Sequence, residues 1–246
     1  MTTAIIKGVS AVKNAMTKTI ATYINSMLDI IWSTWQLTAT LSSDVSVGAT
    51  TFIASANLGT TSTGEVFCDA SGIAETVQVD FSTRSGTGPY TYSLISGTAF
   101  KFAHLANISL LSDPQTGTII PKCYPVAVYD GIHQVIPQMP AITVMGVRGK
   151  QPLNGAPNWA QIDHYLDISV ILTGDDAFVM HHQLERYLIA LWQIFMEHQP
   201  LNLTITGQCG IDPLEYGNSG IFKQKESSMM TLAGGWSVVV HVIETV

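Results

Sequence analysis

Apolar residues recur every three or four positions from Val12 through Met16, Ile20, Tyr23, Met27 and Ile31 to Trp35, the mark of an amphipathic helix over Ser10–Gln36. Ser10 is placed to cap its start. Such a stripe must be buried against something, yet at Leu37 the pattern stops, and helical periodicity does not return until after Gly174. The segment between is built differently. From Leu37 to Asp113 roughly a third of the residues are Ser or Thr and charges are few. Period-two runs at Thr50–Ala54, Glu65–Cys68 and Glu75–Val79 are separated by turn clusters, Asp69-Ala70-Ser71-Gly72 and Ser85-Gly86-Thr87-Gly88-Pro89. This predicts a small antiparallel β module over 38–113. Because the opening helix finds a partner only later in the chain, the module is expected to be an insertion between two parts, 1–37 and 114–246, of one α/β domain.

The third segment reads as mixed α/β. Pro125–Tyr129, closed by the turn Asp130-Gly131, and Ala141–Val147 are short strands, followed by a polar arm from Arg148 to Asn158. From His164 to Leu172 the alternation is clean: Leu166, Ile168, Val170 and Leu172 face one way, Tyr165, Asp167 and Ser169 the other. Asp175 or Asp176 then caps a helix whose stripe is Leu184, Leu188, Leu191 and Phe195, and Pro200 forbids its continuation. A strand at Leu201–Ile205, a long loop from Gly207 to Ser228 and a final strand Trp236–Ile243, apolar on both faces as a central or interface-covered strand would be, complete the chain. The expected fold class is α+β: a mixed β-sheet packed by two helices, with an inserted small antiparallel β domain.

Composition narrows the function. The chain has 246 residues, 46% hydrophobic and only 12% charged, where soluble domains carry about a quarter charged. No run reaches the roughly 18 apolar residues that a spanning helix requires, so no membrane is expected. The opening Met1–Gly8 has no basic leader with an apolar run, which predicts folding in a cytoplasm. Eleven basic residues against 18 acidic, for a net charge of −7, argue against a grip on phosphate backbones. Cys68, Cys123 and Cys209 form no CxxC pair and are read as small buried hydrophobes.

Motifs for chemistry are sparse. His181, His182 and Glu185 share a helix without the HExxH spacing of a zinc site, and are read as helix surface. His104, His133, His164, His198 and His241 are isolated, each expected to be hydrogen-bonded or exposed rather than catalytic. Gly217-Asn218-Ser219-Gly220 is not a GxSxG elbow, no phosphate loop occurs, and no acid pair stands out. The sequence therefore nominates no catalytic, metal or cofactor residue, and the chain is expected not to be an enzyme. Arg148 and Lys150, between glycines, form the only basic pair in a predicted loop, a solvated hairpin tip or an arm that reaches a neighbour. Trp159 and Tyr216 join them as candidate subunit-interface anchors, since large aromatics are enriched at contacts, with Trp159 equally suited to a core position.

The run Ala39-Thr40-Leu41-Ser42-Ser43-Asp44-Val45-Ser46-Val47-Gly48-Ala49-Thr50-Thr51, followed by a Gly-acid turn, by Glu75-Thr76-Val77-Gln78-Val79 and by Ala103-His104, resembles a small β module recurring in virion proteins of tailed bacteriophages. The flanking domain is similar to the tail terminator, or neck, proteins of long-tailed phages, through Asp163–Val170 followed by Leu184–Leu191. The resemblance implies a homo-oligomeric, hexameric ring at the tail–neck junction of the virion. Its partners would be the tail tube protein and the head-side connector. At −7 per subunit such a ring is strongly acidic, and an acidic lumen lets DNA pass without specific binding. A second expectation, of another class, is a decoration or glycan-binding protein that acts through the β insert, with Tyr90, Tyr92, Phe100 and Phe102 as a stacking platform.

Overall fold

The structure, a computed structural model, describes residues 9–59, 62–69, 73–122, 126–131, 136, 138–150, 159–198, 209–223 and 229–245. The elements run α1 (Val9–Trp35), β1 (Leu37–Thr40), β2 (Thr51–Ala54), β3 (Thr63–Asp69), β4 (Glu75–Ser85), β5 (Tyr90–Leu94), β6 (Ser109–Ser112), β7 (Ala127–Asp130), β8 (Ala141–Lys150), β9 (Trp159–Gly174), α2 (Ala177–Glu197), β10 (Cys209–Lys223) and β11 (Met230–Thr245). The fold is α+β. Contacts divide it into two compact units, Met1–Asp29 with Lys122–Val246, and Ile30–Pro121.

The first unit is built on a five-stranded sheet in the order β10-β11-β9-β8-β7, antiparallel except where β7 meets β8. The alternation of β9 explains how α2 is seated. Leu166, Ile168, Val170 and Leu172 are buried, and Trp236, opposite Ile168 in the ladder, donates its indole N–H to the Leu188 carbonyl oxygen of α2 at 2.9 Å. The Trp236 ring also meets Phe195 edge-on. Asp176 caps α2 by accepting from the Phe178 and Val179 amides, and the C-cap His198 stacks on Tyr23 of α1 with ring centroids 3.6 Å apart. In α1 the expected stripe is buried at Val12, Met16, Ile20 and Met27. Lys13 pairs with Asp130, Asn25 accepts from the Val126 amide, and Lys122 reaches Asp29, which moors the helix to the segment entering β7.

The second unit is a closed barrel. Its six antiparallel strands run β1-β6-β3-β4-β5-β2, and the two outer strands also meet: Leu41 bridges Ala54, the Ser42 amide donates to Ile53, and the Ser55 amide donates to Thr40. This seam joins the two outer strands of the sheet to each other. The inward positions of each strand, Phe52, Val66, Val77, Val79, Phe81, Tyr92 and Leu110 among them, fill the interior. This unit extends beyond 38–113 at both ends, because Trp32 and Gln36 at the end of α1 both donate to the Ile120 carbonyl oxygen.

Three expectations are corrected. Ser10 does not cap α1, since the helix already includes Val9. Most of the loop expected over Gly207–Ser228 is strand β10. Its sequence hides this because it is an edge strand, where Pro213, three glycines and two register shifts are tolerated and break the alternation. Arg148 and Lys150 lie not in a loop but in the last turns of the β8 ladder, while 151–158 fall outside the described residues, as do the strand expected at Leu201–Ile205 and His133.

Candidate functional site

The side of β9 turned away from α2 carries Gln161, Asp163, Tyr165, Asp167 and Ser169. On β11 the register sets His241 opposite Asp163 and Ser237 opposite Asp167. On β8 it would place Val147 opposite Tyr165 but for a bulge between Gly146 and Arg148. One extra residue shifts the pairing, so Arg148 stands opposite Tyr165 and Lys150 opposite Asp163. The bulge exchanges an apolar row for a basic one on this face. Val147, displaced from it, is exposed.

The result is a strip of paired polar groups. The Arg148 guanidinium lies 4.4 Å from the Tyr165 ring centre, a stacking worth about 0.5–1 kcal/mol at an exposed site. His241 Nδ1 lies 2.7 Å from Asp163 Oδ1, to which the Gln161 amide also donates, at 3.2 Å. Burial alone would raise the Asp163 carboxyl, but the hydrogen bonds of His241 and Gln161 and the charges of His241 and Lys150 outweigh it and hold the group below its ordinary value. Further along, the Ser237 hydroxyl donates to Asp167 at 2.8 Å.

An oriented imidazole beside a carboxylate invites comparison with a catalytic triad. The spacing argues against one. Ser237 and His241 are four residues apart on one strand, roughly 13 Å at about 3.3 Å per residue, far beyond the reach of a nucleophile and its base. What the strip offers is a row of fixed donors and acceptors of mixed sign, the chemistry of a wet protein contact.

Of the anchors expected from sequence, Arg148 and Lys150 are brought together on this strip, both exposed. Trp159 opens β9 opposite Thr245, and Tyr216 lies in β10 opposite Trp236, but their side chains fall outside the described ones. Asp163, Tyr165, Asp167, Ser237 and His241 were not singled out as anchors. Their signal was present in half: Tyr165, Asp167 and Ser169 are visibly the outward row of an alternating strand, while their partners come from strands whose register no local pattern gives.

The barrel has a second polar cluster, and it ties together the two motifs of the insert. Glu75, which opens β4, accepts from the Lys101 and Phe102 amides at 3.0 and 3.2 Å, and lies 2.7 Å from His104 Nε2. Both side chains are buried, which suits a clasp holding the 100–104 segment against the barrel. Cys68, opposite Glu75 on β3, is buried too, and burial together with the Glu75 charge pushes its thiol up to about 12. Cys123 and the Cys209 side chain are outside the described set. The aromatic platform is not assembled: Tyr92 and Phe100 are core, Tyr90 is half-buried under Arg84, and Phe102 alone of the four is exposed. His182 pairs with Glu185 at 3.3 Å on the surface of α2, and among the described residues no group of three or more His, Cys, Asp or Glu is placed to hold a metal ion. No protein-family model matches the chain, and no curated protein matches it in sequence.

Proposed function

We propose that this chain is a non-enzymatic structural subunit of a bacteriophage virion, a ring-forming protein of the tail–neck junction that caps the tail tube and joins it to the head-side connector. The observation that carries the reading is the polar strip of the five-stranded sheet. In a chain with 12% charged residues, Arg148, Lys150, Asp163, Asp167 and His241 are gathered on one sheet face by a bulge and a shared register. Such a concentration suits a surface that docks on the next protein along the tail axis, where register and partner choice depend on charge. The net charge of −7 adds to this, since a ring of such subunits presents an acidic bore to DNA. The resemblance of the insert and of the strand–helix pairing to phage virion and tail terminator proteins supplies the ring itself. Among the described residues no helix is long and apolar enough to cross a membrane. The reading as a glycan-binding decoration protein is the weaker one, because two of its four platform aromatics fill the barrel core.

The test is capping. Added to growing tubes of the cognate tail tube protein, the chain is expected to sit at tube ends and halt elongation, seen by negative-stain imaging. Arg148→Glu with Lys150→Glu should weaken that capping by about tenfold or more, as reversal of paired charges does at an interface. Tubes that grow on regardless of the wild-type chain would contradict the proposal.

A further inference from the structure

The polar strip ends at an open strand edge. On the side of β8 away from β9, β7 pairs only with Ala141–Val144, and the Gly131 amide closes that match on the Val144 carbonyl oxygen at 2.8 Å. Beyond it, Met145–Lys150 has β9 on one side and, among the described residues, no strand on the other. Gly146, Val147, Arg148, Gly149 and Lys150 are all exposed. Main chain left open in this way is a template on which an extended segment can add as a further strand, through backbone hydrogen bonds.

The charges at the edge select what adds. Arg148 and Lys150 stand on the row that the bulge turns onto the polar face. Arg148 lays its guanidinium against the Tyr165 ring, which leaves the N–H groups on its rim to meet a carboxylate. The acids nearby are engaged within the sheet. Asp163, opposite Lys150 and with its side chain only 16% exposed, is taken up by His241 and Gln161, Asp167 by the Ser237 hydroxyl, and Asp130 at the end of β7 by Lys13. Glu244 stands two strands away in β11, and residues 151–158, Gln-Pro-Leu-Asn-Gly-Ala-Pro-Asn, bring no charge. The edge therefore presents positive charge. Cations and a bulge are ordinary guards of an exposed edge, and these guard it selectively: the same edge of a second copy would set cation against cation, whereas a strand bearing acids meets the opposite sign.

We propose that Met145–Lys150 takes up an extended acidic segment of the protein that docks on the polar strip, paired to β8 as an added strand, with carboxylates at alternate positions facing Arg148 and Lys150. The inference rests on the reading of the strip as a docking surface and names the chemistry of what docks there.

Fluorescence anisotropy of labelled peptides added to the full-length chain tests it. A short peptide in which Glu alternates with Val should bind at least about tenfold more tightly than its counterpart with Lys in place of Glu, and about tenfold more weakly to Arg148→Glu with Lys150→Glu. Both positions are exposed, so circular dichroism should report an unchanged fold, and the comparison between peptides needs no variant. N-methylation of alternate backbone amides keeps the charge of the acidic peptide but removes strand pairing, and should weaken binding by about tenfold or more. Hydrogen exchange at Met145–Lys150 should slow when the acidic peptide is bound. An acidic peptide that does not bind, binds no better than the basic one, or binds as well when N-methylated overturns the inference. Tube capping is read separately: a chain that caps tubes but fails the peptide test loses this inference and keeps the ring reading, and a chain that takes the acidic peptide as a strand but caps nothing keeps the edge site and loses the ring reading.

Discussion

At the scale of the residue, Asp163 shows how position sets chemistry. Its carboxyl is held below the ordinary value by His241, Gln161 and Lys150, so it binds protons less readily in the folded chain than in the unfolded one. A depressed carboxyl contributes stability that is present above its unfolded value, about 3.9, and is lost as the pH falls through the lower folded value. Urea unfolding followed over this window should therefore show the wild type losing stability on acidification. Asp163→Asn should be less stable at pH 7 by on the order of 1 kcal/mol, the worth of a charge-assisted hydrogen bond, and should depend less on pH through the same window. An unchanged acid limb in the variant would contradict the assignment. Little of this residue's role was legible beforehand. The sequence shows an outward Asp on an alternating strand, but His241 lies 78 positions away, and only the β9–β11 register makes them partners.

At the scale of the element, the parts that follow local rules were readable and the parts that break them were not. Asp176 at the start of α2 was legible because capping needs only a short polar side chain ahead of an apolar stripe. The clean alternation of β9 was legible for the same reason. The bulge in β8 was not, since Gly146-Val147-Arg148 reads equally well as a regular strand or a loop, and its effect appears only in which residue faces Tyr165. Strand β10 was missed because edge strands tolerate the proline and glycines that otherwise mark a loop. Glycine is also strictly required in the β11–β9 ladder. At Gly235, opposite Ser169 in the β11–β9 ladder, an added Cβ would run into the Ile168 carbonyl oxygen. Backbone cannot give way as a side chain can, so Gly235→Ala should destabilise the chain by about 2 kcal/mol or more, read as a lower urea midpoint. A midpoint unchanged by the substitution would show that the two central strands are not so closely apposed.

At the scale of the whole molecule, the discontinuous domain was legible from one mismatch, an amphipathic helix whose partner lies more than a hundred residues downstream. Its limits were not, because Trp32 and Gln36 reach across sequence to Ile120 and draw the end of the helix into the barrel's unit. The low charge and the polar strip are the features on which the proposed assembly rests. The measurement that bears most directly on this is the mass of the purified full-length chain by light scattering, with negative-stain imaging of the same peak and of its mixture with the tube protein. The account predicts a mass of several subunits and a ring with a central hole. A chain that remains monomeric at high concentration, and still forms no ring when the tube protein is added, would contradict it.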